Sequence, residues 1–222
     1  MILSNETLNV LRNFASINQG LEFKAGNKLA TISPGRSVLA QATLNDIFPQ
    51  DFCIYDMNEF LSVHSLFKTS VELDFDAANV TFTGERSKIQ FRVAEKKTIV
   101  VPPEKTLKLR EVDCAFSMSS VIYDEIMKTA KVLSSPHIAV RSDGETIQLV
   151  AFDANNDGKH NNSIEVGSGN GKKYTIVFKT ENFKMIQGGY DVEICFDGIA
   201  HFKNVKDDIA YWVATETKES KV

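Results

Sequence analysis

The sequence predicts an α+β protein built from two related halves, with antiparallel sheets and few helices. Three observations lead there. First, aromatic and β-branched runs recur along the whole chain, and several alternate apolar with polar residues, the period of a half-buried strand. They are VELDF (71–75), KIQFRV (88–93), HIAV (137–140), TIQLVAF (146–152), YTIVF (174–178), VEICF (192–196) and IAYWVA (209–214). Second, only four stretches carry helical spacing, so strands and helices do not alternate as in a βαβ series. Third, the chain repeats itself. CIYDMNEF (53–60) lines up with IVFKTENF (176–183), VELDFD (71–76) with VEICFD (192–197), and IQFRVA (89–94) with IAYWVA (209–214), at offsets of 123, 121 and 120. So steady an offset points to a duplicated unit of about 110 residues, a common domain size.

The first helix is expected over 4–17. Ser4 can cap it through its side-chain oxygen, and Leu8, Leu11 and Ala15 share one flank with Val10, Phe14 and Ile17 beside them. The second is expected over 56–67, with Asp56 as cap and Phe60, Val63 and Phe67 at helical spacing. The third, 117–133, opens at Ser117 and carries Ile122, Ile126, Ala130 and Leu133 on one stripe. The fourth is a short piece over 180–187 around Phe183 and Ile186, stopped by Gly188 and Gly189. Turn signals separate the strands at 142–144, 167–171 and 197–198. The linker falls in IVVPPEKTLKL (99–109), because Pro102-Pro103 cannot sit in a central strand and Pro102 biases Val101 toward an extended backbone. The expected domains are therefore 1–104 and 105–222.

Composition narrows the function classes. Of the 222 residues, 43% are apolar and 24% charged, enough to bury a core and unlike a disordered chain. A net charge of −4 excludes a generally basic nucleic-acid coat but leaves room for a local basic patch. No apolar run approaches the ~18–20 residues that span a bilayer. The opening MILSNETLNVLRNF lacks a charged segment followed by an apolar block, so no signal peptide and no membrane partner are expected. Three widely spaced cysteines, Cys53, Cys114 and Cys195, exclude a disulfide scaffold and fit a reducing compartment.

No catalytic constellation stands out, and no cofactor or metal is expected. His64, His137, His160 and His201 fall in different elements, with no partners at metal-ligand spacing. His64 lies on the apolar side of its helix and reads as a half-buried structural histidine, while Cys53 and Cys195 read as core fillers within strands. DANNDG (153–158) resembles the start of an EF-hand loop, but the twelfth position is Ile164, so a solvated loop is the better reading. GSGNGKK (167–173) falls short of a phosphate-binding loop: Val166 stands where the first Gly belongs and Lys173 where a hydroxyl belongs.

The helix faces are more informative. If their apolar sides pack on sheets, the outward arcs hold Asn5, Asn9, Arg12, Asn13 and Ser16, then Asn58, Ser62 and Ser65, then Asp124, Lys128 and Lys131, with Lys179 and Lys184 flanking the last helix. Six basic residues (Arg12, Lys68, Lys128, Lys131, Lys179, Lys184) balance six acidic ones (Glu6, Asp56, Glu59, Asp124, Glu125, Glu181), so strands and loops carry the net charge. Short polar groups with scattered cations suit sequence-independent contact with phosphates; a plain solvated face is the alternative.

The strings LRNFASINQGLEFKAG (11–26), IYDMNEFLSVHSL (54–66), TIVVPPEK (98–105) and YWVA (211–214) resemble the DNA polymerase sliding clamps of T-even-type bacteriophages in order and spacing across nearly the whole length. The resemblance implies the DNA clamp fold: two duplicated domains, sheets outside, and two helices each lining a ring interior. It implies a ring-shaped homotrimer around duplex DNA, without catalytic activity, in the host cell cytoplasm. Its partners would be the C-terminal peptide of the replicative polymerase, a clamp-loader ATPase and, as a further allowance, late-transcription factors. Arg12, Lys128, Lys131, Lys179 and Lys184 would face DNA. Clamps of this type resemble one another in offering an apolar pocket beside the domain linker, which suggests Val101, Pro102, Pro103, Leu107 and Trp212 as partner-binding residues. Trp212 alternates with Ile209, Tyr211 and Val213, so it should face away from them. The competing reading is a small-molecule or metal enzyme on a duplicated α+β fold, which the missing catalytic constellation disfavours.

Overall fold

The structure, a computed structural model, describes residues 1–67, 70–104, 107–156 and 160–222. Lys68, Lys105, Asp157 and Gly158 fall outside the described residues. The chain divides into two compact units, Met1–Lys105 and Thr106–Val222.

The first unit opens with α1 (Asn5–Ile17), where the Ser4 side chain accepts the Thr7 N–H as expected of the cap. The Ser4 N–H and hydroxyl both donate to Asp46 at 2.8 Å, which pins the helix start to the sheet. Leu8, Leu11, Phe14 and Ala15 are buried, while Asn5, Asn9, Arg12 and Ser16 are exposed. Strands β1 (Leu21–Phe23), β2 (Gly26–Ile32), β3 (Val38–Phe48) and β4 (Phe52–Ile54) form an antiparallel sheet in the order β4-β1-β2-β3. The register Phe23↔Phe52 stacks those two rings at 4.4 Å, and Phe48 and Phe75 close the cluster. Helix α2 (Met57–Ser65) follows, with the Asp56 carboxylate accepting the Asn58 and Glu59 N–H groups. A second sheet has the order β5-β6-β7: β5 (Glu72–Phe75), β6 (Asn79–Thr83) and β7 (Lys88–Arg92). Phe60 of α2 inserts between Phe82 and Phe91, at 5.0 and 5.5 Å between ring centroids.

The second unit repeats this plan. It begins with β8 (Cys114–Met118) and α3 (Ser120–Val132). Strands β9 (His137–Asp143), β10 (Thr146–Phe152), β11 (Asn162–Ser168) and β12 (Lys173–Lys179) form a sheet ordered β11-β10-β9-β12. Strands β13 (Tyr190–Cys195), β14 (Ile199–Asn204) and β15 (Ile209–Ala214) extend from β8 in the order β8-β13-β14-β15. Strand for strand, β12-β9-β10 mirrors β4-β1-β2. Phe178, Phe183 and Phe202 meet in its core, with Ile126, Ile138 and Ile194 buried around them.

Two expectations need correction. The third helix does not open at Ser117. Residues 114–118 pair with β13, the Ser117 hydroxyl donates to Asp191 at 2.7 Å, and Ser119 is the cap that accepts the Ile122 N–H. The fourth helix is absent: a 3₁₀ turn covers Thr180–Asn182, and 183–187 run on without helical bonds. Length and capping explain this. The Thr180 hydroxyl donates to Ser135 O beyond the end of α3, while the Gln187 amide donates to Asp124 in its second turn. At ~1.5 Å per residue those contacts lie roughly 16 Å apart along α3, and a helix from 180 to 187 would reach only about 10 Å. In place of the Asp56 cap, the repeat has Lys179, which has no oxygen to accept an N–H, and no side chain caps the turn.

Three buried phenols take over the freed backbone groups. The Tyr123 hydroxyl lies 3.2 Å from Phe183 O and 3.1 Å from Met185 O. Tyr211 Oη accepts the Ile186 N–H at 3.2 Å, and the Tyr190 hydroxyl donates to Ile186 O. Burial pushes all three phenols up, Tyr190 to about 12, so each stays protonated.

In both units the chain after the last strand folds back, on β4 in the first and on β12 in the second. Ala94 N–H reaches Cys53 O at 2.8 Å; Glu216 N–H reaches Val177 O at 2.7 Å, and Lys221 bridges Thr175. The linker leaves the first fold-back close to its own unit. Asn18 Nδ2 donates to Val100 O at 2.9 Å, and a Cβ on Gly20 would come within 2.8 Å of Ile99 Cγ2, so only glycine fits there.

Candidate nucleic-acid interface

The sequence-derived cations fall into two sets. Arg12 belongs to the first unit, exposed on α1. Beside it, His64 of α2 is half-buried with its ring 6.4 Å from that of Phe82; burial, then the Arg12 charge, pulls its pKa below the ordinary value. The four lysines belong to the second unit, all of them exposed.

Lys128 and Lys131 stand one turn apart on α3, because Ile126 and Ala130 face the core. They line an open depression together with Met127, Ala130, Ser134, Pro136 and Thr180. Thr180 is held there by its N–H to Pro136 O at 2.9 Å and its hydroxyl to Ser135 O at 2.8 Å. Lys179 precedes it, with Nζ 3.7 Å from Glu216 of the folded-back tail. Lys184 stands farther along the same segment, toward the start of α3. The helix itself is charge-graded, with Asp124 and Glu125 in its first half and the two lysines in its second, the order that opposes its dipole. The structure thus gathers Lys128 and Lys131 on one depression, with Lys179 next in sequence to Thr180 of its lining and paired with Glu216. The sequence reading missed Ser134 and Thr180 there, and the Glu216 partner of Lys179.

The proposed partner-binding residues also divide. Val101 and Pro102 are half-buried and Pro103 exposed in the first unit; Leu107 is half-buried in the second. Trp212 is only 7% exposed, on the opposite face of β15 from Tyr211 and Val213. Its register partner His201 stacks on it at 4.7 Å and reaches Glu193 at 3.2 Å. Elsewhere, His137 Nδ1 accepts the Ala154 N–H, and the N–H groups of Gly169 and Gly171 bond to Glu145 O and Gly144 O. Among the described residues, no three His, Cys, Asp or Glu side chains converge, and no helix is long and apolar enough to cross a membrane.

Comparison with known proteins gives the family. Residues 4–101 match the family model described as DNA polymerase processivity factor. The sliding clamp of Vibrio phage KVP40 is 33% identical over 222 residues, covering 97% of this chain and 99% of that protein. This chain belongs to the phage sliding clamp family. The sliding clamp of Escherichia phage RB69 is 25% identical, with 97% of each chain covered. The fold is shared more widely. A. fulgidus PCNA, solved with the C-terminal region of FEN-1 bound, superposes with a TM-score of 0.70 at 16% identity and 97% coverage of each chain. The protein is a sliding clamp, a processivity factor for DNA polymerase in phage replication.

Proposed function

We propose that this clamp closes into a ring of three copies around duplex DNA in the host cytoplasm, tethering polymerase by topology rather than by chemistry. Two unlike sheet edges carry the reading. Among the described residues β7 pairs with β6 alone and exposes Lys88, Gln90 and Arg92, and β11 pairs with β10 alone and exposes Ser163 and Glu165. An open edge invites pairing, and joining unlike, oppositely charged edges of successive copies is a head-to-tail contact that can close a ring. Arg12, Lys128, Lys131, Lys179 and Lys184 then meet phosphates without reading bases. The polymerase C-terminal peptide and the loader ATPase dock by the linker around Val101, Pro102, Pro103, Leu107 and Trp212, and late-transcription factors use the same surface. The FEN-1 segment bound to the archaeal clamp supports a peptide partner.

Native mass spectrometry should give about 74 kDa, three times the 24.7 kDa chain. Lys88→Glu with Arg92→Glu should lower that mass, and adding Glu165→Lys should restore it. A monomer at micromolar concentration in moderate salt sinks the ring. Lys128→Glu with Lys131→Glu should cut processive synthesis while leaving the native mass intact; normal synthesis removes α3 from the DNA face.

A further inference from the structure

We infer that Tyr123, Tyr190 and Tyr211 are positioning residues, a phenol triad that holds segment 183–187 in a non-helical course along α3 so that Lys184 joins the DNA-facing lysines of the second unit. The inference rests on the DNA-facing reading above. Its first support is the alternation in the segment: Phe183 and Met185 are buried and Lys184 between them is exposed. In a helix residues 183 and 185 would stand about 200° apart and could not both face the core beside an exposed residue 184, so the pattern depends on the backbone staying non-helical. The backbone is kept so by the three hydroxyls, which bond Phe183 O, Met185 O, Ile186 N–H and Ile186 O. Two of them, Ile186 N–H and Phe183 O, are groups that a helix over 180–187 would have paired within itself, whereas Met185 O and Ile186 O fall among its last four carbonyls and need outside partners either way.

The repeat supplies the second support. Leu8 and Tyr123 each stand four residues after their helix caps, Ser4 and Ser119. Phe91 and Tyr211 are paired by the match of IQFRVA with IAYWVA. In the first unit these two positions carry no hydroxyl, and the segment they face is the helix α2. In the second unit both carry one, and the helix is gone. Hydroxyls therefore stand where the backbone needs partners, which packing alone would not require. The rings form a chain, with Tyr123–Tyr190 centroids at 5.7 Å and Tyr190–Tyr211 at 6.1 Å, so the three act on one short stretch.

The test uses the complete clamp with its loader and polymerase in processive synthesis on primed circular DNA, titrated with salt. Lys184→Ala should lower the salt concentration that halves processivity, each lost phosphate contact reducing the slope against log salt by about 0.9. Tyr123→Phe with Tyr211→Phe should lower the midpoint as far as Lys184→Ala does. Combining all three should lower it no further, while Lys184→Arg keeps the normal midpoint. Additive losses, or a normal midpoint in the tyrosine variant or in Lys184→Ala, overturn the inference. Should the double tyrosine variant fail to assemble by native mass, Tyr123→Phe alone is compared with Lys184→Ala by the same criterion. Lys128→Glu with Lys131→Glu separates the two levels. Normal synthesis there overturns the DNA-facing reading and this inference with it, whereas a loss there with additive Tyr and Lys184 effects overturns the triad's role alone.

Discussion

The two units solve one problem in two ways. Each must cover its core beside the first helix with the segment that follows β4 or β12, and each places a phenylalanine there, Phe60 or Phe183. In the first unit that segment is a capped helix whose backbone bonds to itself. In the second it is a non-helical strap whose backbone bonds to three tyrosines, two of them far away in sequence. The difference is small at its origin. Asp56, whose carboxylate takes two N–H groups, is matched by Lys179, which can take none, and the strap is two residues shorter before the next strand. A duplicated fold keeps the side-chain anchor and the strand order while the backbone between them is free to change, provided every polar group finds a partner.

The largest effects test what the two halves share. Phe60→Ala and Phe183→Ala should each cost about 3–5 kcal/mol of stability, the usual range for removing a buried aromatic ring. Far-UV circular dichroism should then tell them apart, because only Phe60→Ala frays a helix. Equal loss of helical signal in the two variants would mean that the strap is helical in solution.

Next come the phenols. Tyr123→Phe and Tyr211→Phe should each lower stability by about 1–2 kcal/mol, since a buried backbone group loses its partner. Leu8→Ala in the first unit costs instead through the cavity, about 2–5 kcal/mol in a packed core. Amide exchange separates the mechanisms: the Ile186 amide should lose protection in Tyr211→Phe well beyond the drop in global stability. Protection that falls only in step with global stability would reduce the tyrosine to a packing residue.

These contrasts also explain what could be read from sequence. The capped helices at Ser4 and Asp56 were legible because cap and apolar stripe are local. The helix expected at 117 was set two residues early because Ser117 and Ser119 are both plausible caps, and only pairing with β13 decides between them. The fourth helix was misread because Phe183, Ile186 and a Gly-Gly stop imitate one. Of the partners that hold the segment out of a helix, Tyr123 and Tyr211 lie beyond any local window, and Tyr190, four residues past Ile186, comes after the Gly-Gly stop. Strands β1 to β4 gave little signal, since runs such as AQATL are small and polar, and α1 packs on β2 and β3 from elsewhere in the chain. Lys128 and Lys131 were legible from helical spacing alone. The Lys179–Glu216 pair and the stacking of His201 on Trp212 were not, because each depends on chain folding back or on strand register.

Capping gives a smaller contrast. Asp56→Ala should cost about 1 kcal/mol, the usual value of an N-cap. Lys179→Ala should cost no more than a few tenths, because its pairing with Glu216 is partly exposed and screened. Urea midpoints measured at one pH would decide this. A Lys179→Ala loss as large as that of Asp56→Ala would show that the strap depends on the ion pair rather than on the phenols.

The smallest expected effect is a pH dependence confined to the first unit. Extending the match of Phe60 with Phe183 by four residues pairs His64 with Gln187, so only the helical version carries a titrating ring. Burial, and then the Arg12 charge, holds the folded-state pKa of His64 below its ordinary 6.5. Between the folded and unfolded values the unfolded chain binds more protons, so stability rises with pH there. The contribution is fully present above about pH 6.5 and is lost as pH falls through the folded value. The urea midpoint should therefore drop modestly from pH 7.5 to pH 5. His64→Gln, which copies the second unit, should flatten that slope, and Arg12→Gln should reduce it by less, since burial is the larger cause. An unchanged slope in His64→Gln would place the titrating group elsewhere. A larger change in Arg12→Gln than in His64→Gln would mean that the arginine acts on other ionisable groups as well.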